Sequence, residues 1–163
     1  MLIEQLAEKL IANKLKLAVA ESCTGGMLAQ LCTSLSGSSK WFECGIVAYS
    51  NASKIRLLEV EAEVINEHGA VSSQVAEQMA LGVLSHSEAD ISASITGIAG
   101  PGGGTEDKPV GTVYIATVVK NQKAKAKIHL FAGDRQAIRE QTTAMTVAEL
   151  IERIIESADE VIK

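Results

Sequence analysis

A three-layer α/β/α sandwich around a mixed, mainly parallel sheet of about five strands is the fold class predicted here, and three observations lead to it. Short β-branched and apolar runs stop three times at small polar or glycine-rich turns, the pattern of a strand giving way to a loop or helix at its carboxyl end. The elements follow one another as α-β-α-β-α-α-β-β-β-α, and the late β-β pair can only be antiparallel. Aliphatic residues dominate: 47% of the 163 residues are hydrophobic but only 3% aromatic, so Ala, Val, Ile and Leu must build the core. The expected organisation is one domain over 1–163, since that length suffices for a real core.

Ile3, Leu6, Ala7, Leu10 and Ile11 recur at helical spacing and open the chain with an amphipathic helix. A strand at 16–20 ends in Glu21-Ser22-Cys23-Thr24-Gly25-Gly26, and a helix opens near Gly25. A second strand at about 44–49 runs into a short helix, capped near Ser50, that carries Lys54, Leu57 and Leu58. Another short helix is expected near 61–67. Ser72 or Ser73 then caps a helix reaching about residue 85, with Val75, Met79 and Val83 on one face. Asp90–Thr96 alternates as a strand, and the glycine-rich connection 98–109, which holds both prolines, cannot be helical. Loops of this length in compact domains usually carry function. Val110–Val119 and Ala124–Ala132 read as a hairpin, and Asp134 caps a last helix running towards residue 160.

Composition excludes several function classes. The net charge is −5, and the clustered lysines Lys120, Lys123, Lys125 and Lys127 fall in one hairpin, so nucleic acid is not an expected partner. No apolar run nears the roughly 20 residues of a membrane span, and the N-terminus reads as a helix rather than a signal peptide, so no membrane partner is expected. Cys23, Cys32 and Cys44 are odd in number and suit reduced thiols in a cytoplasmic protein. Neither they nor the scattered His68, His86 and His129 have metal-ligand spacing, so neither metal nor other cofactor is expected.

The turn at 22–26 offers a hydroxyl, a thiol and the N–H groups of Gly25, Gly26 and Met27, which at a helix start would bind an oxyanion. The plain alternative is a glycine-rich turn with Ser22 or Thr24 as cap. A serine needs a base. No histidine lies in a motif-like turn, whereas Lys54 does, and burial beside a helix start would lower its pKa towards the useful range. Tyr49, five residues earlier, could orient or relay a proton. Ser22 and Cys23 should face opposite ways along an extended segment, so only one can meet the pocket. The glycine loop from Gly97 to Gly104 lets main chain approach a ligand but matches neither GxGxxG nor a P-loop. Thr96 and Thr105 add hydroxyls. Arg135 and Arg139, one helical turn apart, could meet a phosphate or simply face solvent.

ESCTGG, VAYSNASK, GAVS, TGIAGPGGG and KPVGTVYIA, in that order and spacing, together resemble the CinA C-terminal domain family, whose members include nicotinamide mononucleotide amidohydrolases. The resemblance covers nearly the whole chain. It implies a mixed five-stranded sheet and an amidohydrolase that converts nicotinamide mononucleotide to nicotinate mononucleotide and ammonia through a Ser–Lys acyl-enzyme. It selects Ser22 over Cys23 as nucleophile, with Lys54 as base and Tyr49 beside them. Substrate contacts are then expected from Thr24, Gly25, Gly26, Asn51, Thr96, Gly97, Gly100, Gly102, Gly103 and Arg135. A homo-oligomer, with a dimer first, is the expected assembly. A non-catalytic nucleotide-binding module and an amidase for another small amide are the competing readings.

Overall fold

Two inner strands, at residues 17–21 and 91–97, carry large aliphatics on one side and mainly alanine, serine or threonine on the other, and that asymmetry sets how the layers pack on them. The computed structural model describes residues 1–162. In chain order they form α1 (Leu2–Ala12), β1 (Leu17–Glu21), α2 (Met27–Thr33), a 3₁₀ turn (Ser38–Lys40), β2 (Phe42–Val47), α3 (Asn51–Leu58), α4 (Ala62–His68), α5 (Ser73–Ser85), β3 (Ile91–Gly97), β4 (Thr112–Val119), β5 (Lys125–Leu130) and α6 (Arg135–Ile162). The sheet order is β2-β1-β3-β4-β5. β1 pairs in parallel with both β2 and β3, whereas β4 is antiparallel to β3 and to β5, so β4 alone runs against the rest.

Leu17 and Val19 of β1, Ile91, Ala93 and Ile95 of β3, and Val113 and Ile115 of β4 face α1, α2 and α6. Ala18 and Ala20 point the other way, towards α3, α4 and α5. On that face β3 presents Ser92 and Ser94, whose hydroxyls donate to the α5 carbonyls of Ala80 (2.7 Å) and Ala76. Short side chains that satisfy their own polar atoms let α5 lie close to the sheet without stranding a buried hydroxyl. No helix among the described residues is long and apolar enough to cross a membrane.

Helix starts follow the expected chemistry. Ser50 accepts from the Ser53 N–H at 3.1 Å, Ser72 from Val75 at 3.3 Å, and Asp134 from Ala137 at 2.8 Å. Several boundaries differ from the sequence reading, and one short element is additional to it. The second strand stops at Val47, because Tyr49 and Ser50 swing out to begin α3, although the Ala48 N–H still reaches the Glu21 carbonyl at 2.9 Å. The second helix opens at Met27, since Gly25 (φ +59°) and Gly26 (φ +106°) adopt left-handed conformations that belong to a turn. The 3₁₀ turn at Ser38–Lys40 had no signal in the pattern.

Because β1 sits between β2 and β3, with connecting helices on opposite faces, the carboxyl ends of these strands flank a topological switch point, where open α/β sheets form their crevices. The helix α3 that reaches this end is held from behind by α5. Gly82 lies against the Leu58 backbone at the end of α3, and a Cβ there would overlap the Leu58 carbonyl. Gly82→Ala should therefore destabilise the protein by about 1–3 kcal/mol, measured as a lower urea midpoint. An unchanged midpoint would mean that α3 and α5 part without cost.

Candidate active site

Three loops meet above the sheet: the one after β1 carrying Ser22, the one after β2 carrying Tyr49, and the glycine loop after β3. Between them lies a cavity of ≈ 250 Å³ whose wall includes Ser22, Cys23, Tyr49, Asn51 and Lys54. The opposite wall comprises Ala70 and Val71 from the α4–α5 turn, Thr96 to Gly100, Gly102, Gly103 and Arg135.

Ser22 leaves β1 with its N–H on the Ile95 carbonyl (3.1 Å), which ties the nucleophile candidate to the neighbouring strand. Lys54, 32 residues on, places Nζ 3.1 Å from Ser22 Oγ. Its second partner is the Tyr49 carbonyl at 3.0 Å. The lysine is only 2% exposed, and burial lowers its pKa, with no carboxylate beside it to hold the proton. An amine so placed can take a proton from a serine hydroxyl. Cys23 is 5% exposed, and burial pushes its thiol up to about 11, which keeps it protonated and a poor nucleophile at neutral pH.

Of the residues singled out from sequence, Ser22, Tyr49, Lys54, Asn51, Thr96, Gly97, Gly100, Gly102, Gly103 and Arg135 all reach the cavity. Several do so differently from expectation. Tyr49 is 62% exposed, and its hydroxyl accepts from Arg135 Nη2 at 3.2 Å; the Tyr49 carbonyl, not the hydroxyl, meets Lys54. Arg135 also donates to the Gly100 carbonyl at 2.7 Å and so bridges the β2 turn to the glycine loop at the cavity mouth. Thr96 lines the cavity while its hydroxyl donates to the Ala70 carbonyl (2.8 Å). Thr105 lies outside it and accepts from the Lys108 N–H at 3.0 Å.

Thr24, Gly25 and Gly26 stand next to Ser22 and Cys23 but are not among the residues that line the cavity. Behind this turn lies Glu21, a fully buried carboxylate that the sequence reading passed over. It accepts the Thr24 hydroxyl at 2.6 Å and the N–H groups of Leu28 and Ala29 at 3.0 Å each. The start of α2 thus has its anion built in. Of the other donors in the turn, the Gly25 N–H binds the Ser22 carbonyl and the Met27 N–H the Thr24 carbonyl, both at 3.0 Å. The only signal for Glu21 was an acid at the end of an otherwise apolar strand. Lys108 was also missed: its Nζ donates to the His68 carbonyl at 2.8 Å and to that of Val71 at 2.6 Å, bracing the glycine loop against the α4–α5 turn.

Residues 1–154 match the model of the CinA C-terminal domain. The chain belongs to the CinA C-terminal domain family. It is similar to nicotinamide-nucleotide amidohydrolase PncC of Escherichia coli strain K12, at 43% identity over 156 residues that span 96% of this chain and 94% of that protein. A CinA-like protein of Geotalea uraniireducens is 50% identical over 139 residues, which cover 85% of this chain and 33% of that longer protein. The fold matches a crystal structure of a CinA superfamily protein from Klebsiella pneumoniae with a TM-score of 0.92 and 35% identity, covering 95% of this chain and 96% of that one. Within this CinA domain, the segments that bring Ser22, Tyr49 and Lys54 together all fall inside the matched residues.

The buried amine makes stability depend on pH in a defined direction. Lys54's value in the folded protein lies below its ordinary 10.5, so between the two the unfolded chain binds more protons. Wild-type stability should therefore rise with pH through that window relative to Lys54→Met, which has nothing to titrate there. Urea unfolding at a series of pH values reads this difference; parallel curves for the two proteins would contradict a depressed Lys54.

Proposed function

We propose that this CinA domain is an amidohydrolase that converts nicotinamide mononucleotide to nicotinate mononucleotide and ammonia, with Ser22 as nucleophile and Lys54 as general base. The observation that carries the reading is the 3.1 Å approach of the buried Lys54 amine to the Ser22 hydroxyl at the edge of a cavity. The name of the similar Escherichia coli protein, nicotinamide-nucleotide amidohydrolase, supports the substrate.

In this mechanism Ser22 Oγ attacks the carboxamide carbon while neutral Lys54 accepts the hydroxyl proton. The carbonyl π pair moves to oxygen and gives a tetrahedral oxyanion. As the oxyanion collapses, the C–N bond breaks and the Lys54 ammonium returns its proton to the leaving nitrogen, which departs as ammonia. Water, deprotonated by Lys54, then attacks the acyl-serine, and Ser22 regains its proton as the nicotinate product leaves. The bare main chain of Gly97 to Gly103 permits close approach of the ribose side of the substrate. Arg135 at the mouth serves the phosphate through its planar fork. Asn51 and Tyr49 complete the rim.

Ammonia release from nicotinamide mononucleotide, nicotinamide riboside and nicotinamide, compared side by side, tests the substrate. The mononucleotide should be preferred, and Arg135→Ala should raise KM for it with little change in kcat. Equal kcat/KM for free nicotinamide would overturn phosphate recognition.

Ser22→Ala should lose several orders of magnitude in rate while Cys23→Ala retains most of it. Lys54→Arg should be as damaging as Lys54→Ala, because guanidinium does not give up its proton. For the wild type, kcat/KM should climb with pH through the lowered lysine value and then level off. A Lys54→Arg enzyme with near-wild-type kcat would remove Lys54 from the role of base.

A further inference from the structure

Arg139 sits on α6, more than a hundred residues from the Ser22 turn in sequence, yet its half-buried side chain reaches that turn. Nε donates to the Cys23 carbonyl at 3.1 Å and Nη2 to the Thr24 carbonyl at 3.0 Å. Nη1 is held by the Gln136 side chain at 3.1 Å, so all three edges of the guanidinium plane are engaged. A Cβ at Gly25 would meet Nη2 at 3.6 Å, ordinary van der Waals contact, so the guanidinium packs directly against the turn. Neither phosphate binding nor solvation, the two roles its sequence position offered, describes this arrangement.

We propose that Arg139 is a positioning residue for the nucleophile: by clamping two successive carbonyls after Ser22 it orients the catalytic turn and strengthens one of its N–H donors. The inference rests on Ser22 being the nucleophile. In a trans peptide the C=O and the following N–H point in opposite directions. With the Cys23 carbonyl turned towards α6, the Thr24 N–H points away from α6, and it has no partner among the described residues. A cationic donor on one end of a peptide group polarises it and makes its N–H a better donor at the other. Glu21 secures the far side of the same turn through Thr24, Leu28 and Ala29. The segment bearing Ser22 is thus held between an acid beneath it and an arginine beside it. Lysine cannot replace the fork, since one ammonium on a flexible stem does not span two carbonyls in a fixed plane.

The test compares wild type, Ser22→Ala, Arg139→Lys and Arg139→Ala for ammonia release from nicotinamide mononucleotide. Thermal melts show which variants are folded at the assay temperature. Both Arg139 variants should lose roughly 10- to 100-fold in kcat, the scale expected when a reacting group is misplaced, while KM stays within about twofold. Millimolar ethylguanidinium should restore part of the Arg139→Ala rate and none of that of Ser22→Ala. If Arg139→Ala does not fold, the kcat and KM of Arg139→Lys decide alone. Wild-type kcat in folded Arg139→Lys overturns the inference. So does a raised KM with kcat retained, which would assign Arg139 to the substrate phosphate. A wild type that releases no ammonia overturns the hydrolase reading and this inference together, whereas an active wild type with inactive Ser22→Ala and fully active Arg139→Lys removes only Arg139.

Discussion

Everything at the carboxyl end of this sheet depends on keeping a lysine amine out of water beside a serine. Removing an ammonium from solvent is costly unless it is paired, and no acid among the described residues pairs with Lys54. Burial lowers the pKa of the amine, and the protein gives it two neutral partners, Ser22 Oγ and the Tyr49 carbonyl. Both partners must then be immovable. Ser22 is fixed through its N–H on β3, and Tyr49 through the turn that Ser50 closes at the start of α3. A counter-charge in their place would have held the proton on the lysine and raised its pKa.

The close approach of α5 to the sheet and to α3 follows from the small residues between them. Ala18, Ala20, Ser92 and Ser94 on the sheet meet Ala76 and Ala80 of α5, and Gly82 meets the end of α3. Larger side chains in this layer would hold α5 and α3 further from the sheet and move Lys54 away from Ser22. The scarcity of aromatic residues, which at the sequence level indicated only a core of small aliphatics, therefore has a geometric consequence at the reacting atoms.

Much of this was legible in the sequence because local chemistry announces itself locally. The strand that stops at Ser22, the caps Ser50, Ser72 and Asp134, and the glycine-rich run after Thr96 each carry their signal within a few residues. The pairing of Ser22 with Lys54 was reached through the resemblance of several motifs at once, as no spacing rule joins residues on two different strand ends. Glu21 escaped, and Arg139 was read only as a phosphate contact or a solvated side chain, for the same reason: an acid in an apolar strand and an arginine on an amphipathic helix look ordinary until the chain folds. Of the N–H groups that the sequence offered at this turn, those of Gly25 and Met27 are taken by the Ser22 and Thr24 carbonyls, and Glu21 folds back onto the next two, Leu28 and Ala29, which no local pattern shows. Tyr49 was singled out for its hydroxyl, whereas its carbonyl is what touches the lysine.

The bracing of the glycine loop by Lys108 changes what that loop is. Glycine-rich segments usually owe their function to motion, folding over a ligand and losing conformational entropy as they do so. Here a single ammonium grips the turn beyond α4 through two carbonyls, and Arg135 fastens the loop's other end to Tyr49. The glycines therefore provide clearance rather than mobility. A ligand meets walls that are already assembled, and little of its contact energy is consumed in ordering them.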